Sequence, residues 1–301
     1  MTVFPKNLLV YKAKEGFSIT EEDLKRCLSD FAFVDCGPSD KAKTGWLSPF
    51  STEHMYHCHG TQDFLLKYCK QERKINASAF NQMLTRTVSA MEEEDGHPLN
   101  KRQKDQIRDE LLSDILPNAL PVNDYINLYI IESGKYIAID SANHNKAETV
   151  LALLRKSLGS LPVIPLLGDT PAETVITEWV RSGETPAGIV LGNSAKLKSI
   201  LDDGPIIGVK SADLSSEEIQ AHIAHNAMVR EVGIDFQDRV AFSLTDGMQI
   251  KGLKFSDEIK DQNEDIPKED VLARLDADLA LVFGEIKTLI ATVFSSFSKA
   301  K

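Results

Sequence analysis

Two groups of side chains in this sequence are equipped for chemistry with a charged partner. The larger is a set of cations spread along the chain: Arg73 and Lys74, Lys101, Arg102 and Lys104, Arg155 and Lys156, Arg181, Lys196 and Lys198, Lys210, and Lys251 with Lys254. Lysines and arginines spaced over one surface neutralise successive phosphates of a nucleic-acid backbone, a chemistry that reads charge and not base sequence. Taken pair by pair, each also fits a solvated helix or strand face. The smaller group is His54, His57, Cys58 and His59, with Cys69 nearby. In a strand, His57 and His59 share a face and can reach one metal ion. The competing reading is a polar strand edge beside a buried Cys58, and no spacing here resembles a zinc motif. The expectation is no metal and no cofactor.

Catalytic signatures are missing from the sequence. It has no GxxxxGK[ST] phosphate loop, no GxSxG elbow and no HExxH pair; the stretch Gly188 to Lys196 lacks the Gly-Lys-Ser/Thr ending that cradles phosphates. Asp261, Asn263 and Asp265 begin like a calcium loop, but Ile266 stands at its glycine position and Leu272 at its closing glutamate. The chain therefore reads as a binding protein and not an enzyme. Two alternatives stay open: a metal-dependent nuclease that draws its ligands from the acidic stretch, and a protein-interaction adaptor without DNA contact.

The formal net charge of the 301 residues is −11. Its distribution matters more than its sum. From Asp257 to Asp278 nine acidic residues face only Lys260, Lys268 and Arg274, a local net charge of −6. Hydrophobic residues at 42% and charged residues at 26% are ordinary for a globular protein. No apolar run is read as long enough to span a bilayer, and the N-terminus does not read as a secretory signal. Cys27, Cys36, Cys58 and Cys69 lack a CxxC pair and read as reduced thiols of a cytoplasmic protein.

The elements that must position these side chains are clearest between Lys135 and Gly183. Tyr136 to Asp140 reads as a strand. A helix follows from Asn143, with Ala147, Val150, Leu151, Leu154 and Leu158 at helical spacing. Gly159 and Pro162 end it, and Val163 to Leu167 reads as a second strand. Upstream, Asn7 to Ala13 reads as a strand, Thr20 with Asp23 opens a helix, and Phe64 to Cys69 is another strand. Ala77 to Glu94 and Lys101 to Leu116 read as two helices broken at Gly96-His97-Pro98, an antiparallel hairpin. Downstream, Lys196 to Leu201 reads as a brief helix, Ile206 to Lys210 as a strand, and Ser215 and Ser216 as a helix start. Val232 to Phe236 and Arg239 to Leu244 are strands, with a turn at Asp246-Gly247. Lys268 to Phe297 reads as a long helix after Pro267.

The runs TVLALLRKSLGSLPVIPL and TEWVRSG, with LKSILDDG, DLSSEEIQAHI, LKFSDEIKDQNEDI, the N-terminal PKNLLVYK and the Gly45-Trp46 pair, resemble the bacterial recombination-associated RdgC family over nearly the whole chain. The resemblance implies a cytoplasmic, nucleoid-associated homodimeric ring. That ring encircles double-stranded DNA without sequence preference and restrains RecA-dependent recombination, with no membrane partner. An acidic exterior around a basic inner surface suits a ring that slides on DNA. Arg155, Lys156, Arg181 and Lys210 are then preferred as DNA contacts, because they lie in or beside the family-like runs. The chain departs from the family wording at Leu120-Pro121-Val122 and at Lys210-Ser211-Ala212.

The implied architecture is α+β, with intertwined α/β lobes, a projecting helical hairpin and a long C-terminal helix. Its divisions are an N-terminal lobe at 1–75, the hairpin at 76–122, a central lobe at 123–256, and the acidic segment with the last helix at 257–301. Dimer contacts are expected at Leu116 and Leu120, where the family closes its ring, and at Phe283, Phe294 and Phe297. The last helix carries more apolar surface than one packing face needs, which marks an interface unless the helix packs wholly into its own core.

Overall fold

The computed structural model describes residues 3–50, 54–200, 204–267 and 269–298. In chain order the first elements are β1 (Asn7–Ala13), α1 (Glu21–Leu28), β2 (Ala42–Leu47), β3 (Met55–His57), β4 (Phe64–Arg73), α2 (Ala77–Asp95) and α3 (Lys101–Ile115). Then come β5 (Pro121–Ile131), β6 (Tyr136–Ile139), α4 (His144–Leu158), β7 (Val163–Pro165), α5 (Ala172–Ser182), β8 (Ile189–Ser199) and β9 (Ile206–Lys210). The chain finishes with α6 (Glu217–Ala224), β10 (Ala227–Phe236), β11 (Val240–Thr245), β12 (Ile250–Phe255), α7 (Asp257–Asp261) and α8 (Val271–Thr292). These form two compact units, one from 1–30, 48–67 and 126–301, the other from 31–47 and 68–125. The stretch 1–75 is thus shared between the units, and 257–301 belongs with the first.

In the first unit, β1 is common to two antiparallel ladders. Asn7 and Leu8 pair with Lys251 and Ile250 of β12. Leu9 to Lys12 pair with β6, and Tyr11 to Ala13 with β7 on the other edge. β6 and β7 therefore run parallel with β1 between them, and α4 is the crossover that joins them. This is the strand–helix–strand unit read from the sequence, with the N-terminal strand inserted at its centre. The Asn143 side chain accepts the Lys146 N–H at the start of α4, and Gly159 closes the helix at φ 78°. Ala147, Val150, Leu151 and Leu154 bury its inner face. From β12 the second ladder continues through β11, β10 and β8 to β9.

One predicted element changes type. Lys196 to Ser199 is not helical but the last part of the eleven-residue strand β8, and Leu201 lies outside the described residues. The reason is its period of two: Ala195 and Leu197 are buried while Lys196 and Lys198 point outward. Pairing with β10 on one edge and β9 on the other then outweighs local helix propensity.

One face of this ladder is covered by α5, α6 and α8. Val229, Val232, Ile234, Phe242, Leu244 and Leu253 of the strands pack with Ile176, Ile219, Leu279, Val282 and Ile286 of the helices. The segment Val271–Phe297, α8 and the 3-10 turn behind it, is long and apolar enough by composition to cross a membrane, an 18-residue stretch of it having a mean hydropathy of 1.5, which corrects the sequence reading. Its apolar stripe is nevertheless core. The expectation that Phe283, Phe294 and Phe297 make dimer contacts falls with it, because they are 1%, 5% and 1% exposed within the single chain. Phe283 meets Tyr129 edge-on at 5.9 Å, and Phe297 lies 5.1 Å from Trp179. These rings have no surface left to offer a partner.

In the second unit β2 neighbours β4, and Trp46 packs edge-on against Tyr68. Gly45 is required there: a Cβ would sit 2.6 Å from the Phe33 nitrogen. The helical hairpin forms as expected, with Gly96 ending α2 at φ 71° and Asn100 capping α3. Its two helices fully bury only Phe80 and Ile107 among the described residues, and Met83 and Met91 stay exposed. Leu116, just beyond α3 and also expected at a dimer contact, is buried within the single chain and falls with the phenylalanines, whereas Leu120 is 78% exposed.

Candidate nucleic-acid interface

The face of the β9-β8-β10-β11-β12 ladder turned away from the helices gathers five of the cations named above. On β8, Lys196 and Lys198 are two residues apart and share that face. Register carries it outward: Lys210 of β9 lies opposite Ser194, and Gly208 opposite Lys196. On β12, Lys251 and Lys254 are three apart, a spacing that sends side chains to opposite faces of a regular strand. Gly252 between them adopts φ 61°, and the pairing slips so that Lys251 meets Ser243 while Lys254 meets Ala241. This bulge turns both lysines outward, and only glycine adopts that φ without strain. Ile250, Leu253 and Phe255 correspondingly point into the core.

Between the lysines the surface is low. Gly208, Gly233, Ser194 and Ser243 floor a slot of about 290 Å³ that Lys196, Lys210 and Glu231 also line. A Cβ on Gly233 would stand 2.6 Å from Ser194 Oγ, so that position admits a larger residue only if the Ser194 hydroxyl turns away, whereas Gly208 faces open space. Lys196 Nζ lies 2.9 Å from Glu231 Oε2, and Lys251 Nζ lies 3.7 Å from the same oxygen. Lys196, Lys210 and Lys254 are exposed, and Lys198 and Lys251 are half-buried. Beside the face, Asp213 is committed locally: the hydroxyl and N–H of Ser215 donate to it and hold its carboxyl below the usual range. An array of ammonium groups, hydroxyls and bare backbone on an open sheet can follow a run of phosphates without reading bases.

The remaining candidates stand on or beside other elements. Arg155 and Lys156 are exposed in the last turn of α4, where positive charge suits the helix dipole. Arg181 lies on α5, which packs on the covered side of the ladder, and its guanidinium is held by Glu178. Lys101, Arg102 and Lys104 open α3 in the second unit, where Lys104 Nζ lies 2.9 Å from Glu92. Arg73 serves structure: it donates to the carbonyls of Gly37, Pro117 and Ala119. Lys74 is exposed beside it, its backbone N–H donating to Leu120.

The histidine and cysteine cluster disperses. β3 ends at His57, so His57 and His59 are not two residues of one strand. His57 lies 3.0 Å from Glu21, faces the Thr61 carbonyl at 2.7 Å and stacks on Phe64. Cys58 is fully buried, and that burial, with Asp276 nearby, pushes its thiol up to about 11. Among the described residues no three His, Cys, Asp or Glu side chains are grouped to hold a metal ion. In the acidic stretch, Asn263 donates to Asp278 and Asp276 accepts from the Tyr56 hydroxyl and the His59 N–H.

Sequence reasoning missed Ser194, Ser243, Gly208, Gly233 and Glu231. The available signal was alternation: once β8 is a strand, Ser194, Lys196 and Lys198 fall on one face, and its neighbours follow by register.

Comparison with known proteins agrees with the sequence resemblance. The family described as "Putative exonuclease, RdgC" matches residues 3–300. Recombination-associated protein RdgC of Enterobacter sp. (strain 638) is 41% identical over 286 residues, covering 95% of this chain and 94% of that protein. The protein of the same name from Yersinia enterocolitica is 40% identical over 292 residues, covering 97% and 96%. That from Edwardsiella ictaluri is 41% identical over 287 residues, covering 95% and 94%. With a match along nearly all its length, the chain belongs to the RdgC family.

Proposed function

We propose that this protein binds double-stranded DNA without sequence preference, as a cytoplasmic, nucleoid-associated homodimeric ring that restrains RecA-dependent recombination. The observation that carries the reading is the convergence of Lys196, Lys198, Lys210, Lys251 and Lys254 on one open sheet face in a chain whose net charge is −11. An acidic protein that concentrates five lysines over glycine and serine has an anion-binding surface against an otherwise repulsive background. The relatives' name, recombination-associated, sets DNA binding in that context. Occlusion is the mechanism: a duplex held by this protein is denied to a RecA filament.

Support for a partner copy lies in the second unit. Leu120 is 78% exposed and Val122 44%, two apolar side chains of one parity at the start of β5, of the kind that marks an interface.

The test is binding to two unrelated duplexes across a salt series. The logarithm of affinity should fall linearly with the logarithm of salt, equally for both sequences, with a slope near −0.9 per phosphate contact. The double variant Lys198→Glu/Lys254→Glu should flatten the slope by about two units. The family's description as an exonuclease supplies the competing reading: magnesium-dependent shortening of an end-labelled duplex would establish it, and an intact duplex with steep salt dependence supports binding.

A further inference from the structure

The lysine face holds a carboxylate at its centre. Glu231 stands on β10, directly opposite Lys196 of β8. Its Oε2 lies between two ammonium groups, 2.9 Å from Lys196 and 3.7 Å from Lys251, and its side chain keeps only 19% of its surface. It lines the slot floored by Gly208 and Gly233 and flanked by the hydroxyl-bearing Ser194 and Ser243, with Lys210 on the β9 side. At about 290 Å³ the slot exceeds by several-fold the ~30 Å³ share of one water.

A carboxylate and a phosphodiester are alike where this slot is concerned. Both are anionic acceptors that take charge-assisted hydrogen bonds from ammonium groups at about 2.7–2.9 Å. Gly208 and Gly233 present no Cβ to keep a backbone phosphate away, and the serines add donors that a carboxylate in the Glu231 position leaves for another anion. We propose that this slot is the seat of one nucleic-acid backbone phosphate, and that Glu231 occupies it when no nucleic acid is bound. Glu231 is then an internal competitor: a phosphate entering the slot displaces it from Lys196 and Lys251, and its repulsion weakens the hold. The inference rests on the nucleic-acid reading of the lysine face and adds a residue that sets how tightly that face binds.

The experiment is the same salt series with Glu231→Gln, which removes the charge and keeps the shape. With one more uncompensated lysine charge to neutralise phosphate, the slope steepens by about 0.9, which over the decade from 1 M to 0.1 M salt is about an eightfold tighter complex at 0.1 M. A change in fold alone does not steepen the slope, and an unchanged thermal melt confirms that the fold is kept. In the Lys196→Ala/Lys251→Ala background the gain from Glu231→Gln should vanish, because no ammonium groups remain to be released. Equal or weaker binding by Glu231→Gln with an unchanged slope overturns the proposal, while the lysine-face reading stands if Lys198→Glu/Lys254→Glu still weakens binding. If the wild-type protein binds neither duplex at low salt, that reading falls and the phosphate seat falls with it.

Discussion

The ammonium of Lys287 lies 2.6 Å from Oδ2 of Asp63, whose side chain has no exposed surface. The other Asp63 oxygen accepts the Glu132 N–H at 2.9 Å. One buried carboxylate thus ties α8 to the end of β5 and to the start of β4. Lys287→Ala leaves that charge without its counter-ion. Removing one member of a buried pair costs ~3–5 kcal/mol, but Lys287 is about one-third exposed and water can partly replace it. The expected loss is about 2–3 kcal/mol in urea denaturation, and adding Asp63→Asn to the variant should recover part of it. A loss below ~0.5 kcal/mol, the level of a surface pair, would mean that water already screens the carboxylate.

Asp140 gives the fold a pH dependence of known sign. Burial raises its carboxyl above the ordinary value of 3.8, against the opposing effect of two N–H donors, Asn7 and Lys6, each at 3.0 Å. The folded chain therefore holds this proton more tightly than the unfolded chain. Its contribution to stability is complete below the ordinary value and is lost as pH rises through the raised folded-state value. Asp140→Asn keeps an oxygen to accept both N–H groups and has nothing to titrate. Relative to the wild type, the variant should gain stability across that window and hold the gain at neutral pH. A difference that stays flat from about pH 3 to 7 would remove Asp140 from the account.

Phe294 and Leu120, both expected from the sequence at an interface, should respond differently to the same change. Phe294 is buried in the first unit's core, so Phe294→Asp should unfold the protein, with a cost in the range of ~3–5 kcal/mol for losing a core aromatic, increased by the buried charge. Leu120 is exposed and packs on little within its own chain. Leu120→Asp should leave the thermal melt unchanged and, on the dimer reading, halve the mass seen by light scattering. A Leu120→Asp protein that keeps the mass of a dimer would place the interface elsewhere.

These contrasts mark how far the sequence could be read. Helix boundaries were legible because caps are local: Thr20 with Asp23, Asn143, Gly96 and Gly159 all act within one turn of their own position. The strand–helix–strand unit was legible for the same reason. What was not legible depends on partners far away in sequence. Lys196 and Lys198 read as helical because only their pairing with β9 and β10 makes them a strand. Lys251 and Lys254 have the spacing of opposite faces until the positive φ of Gly252 puts them on one. The Phe283, Phe294 and Phe297 stripe reads as surplus apolar surface because the covering residues, Tyr129 and Trp179 among them, lie more than a hundred positions away. The Gly45-Trp46 pair was visible only as a family word. Its physical reason is the close approach of the Phe33 backbone to Gly45 and the burial of Trp46 against Tyr68.

The preferred cations fall into two groups that experiment can separate. Arg155 and Lys156 owe their preference to a family-like run, and they stand together in the last turn of one helix. The lysines of β8, β9 and β12 are spaced by strand pairing, at ~4.8 Å per neighbour, so they present charge at several positions along a backbone. Neutralising several phosphates at once produces a steep salt dependence, and two adjacent cations at one helix end reach the same short stretch of backbone, so they add fewer separate contacts than two lysines on different strands. Arg155→Glu/Lys156→Glu should therefore lower affinity at about 0.1 M salt by less than Lys198→Glu/Lys254→Glu and flatten the slope by under about one unit. The comparison is clean because neither pair is buried in the core, so both variants should fold. If the α4 variant instead removes more of the slope than the sheet variant, the duplex runs over the end of α4 and the sheet lysines serve another anion.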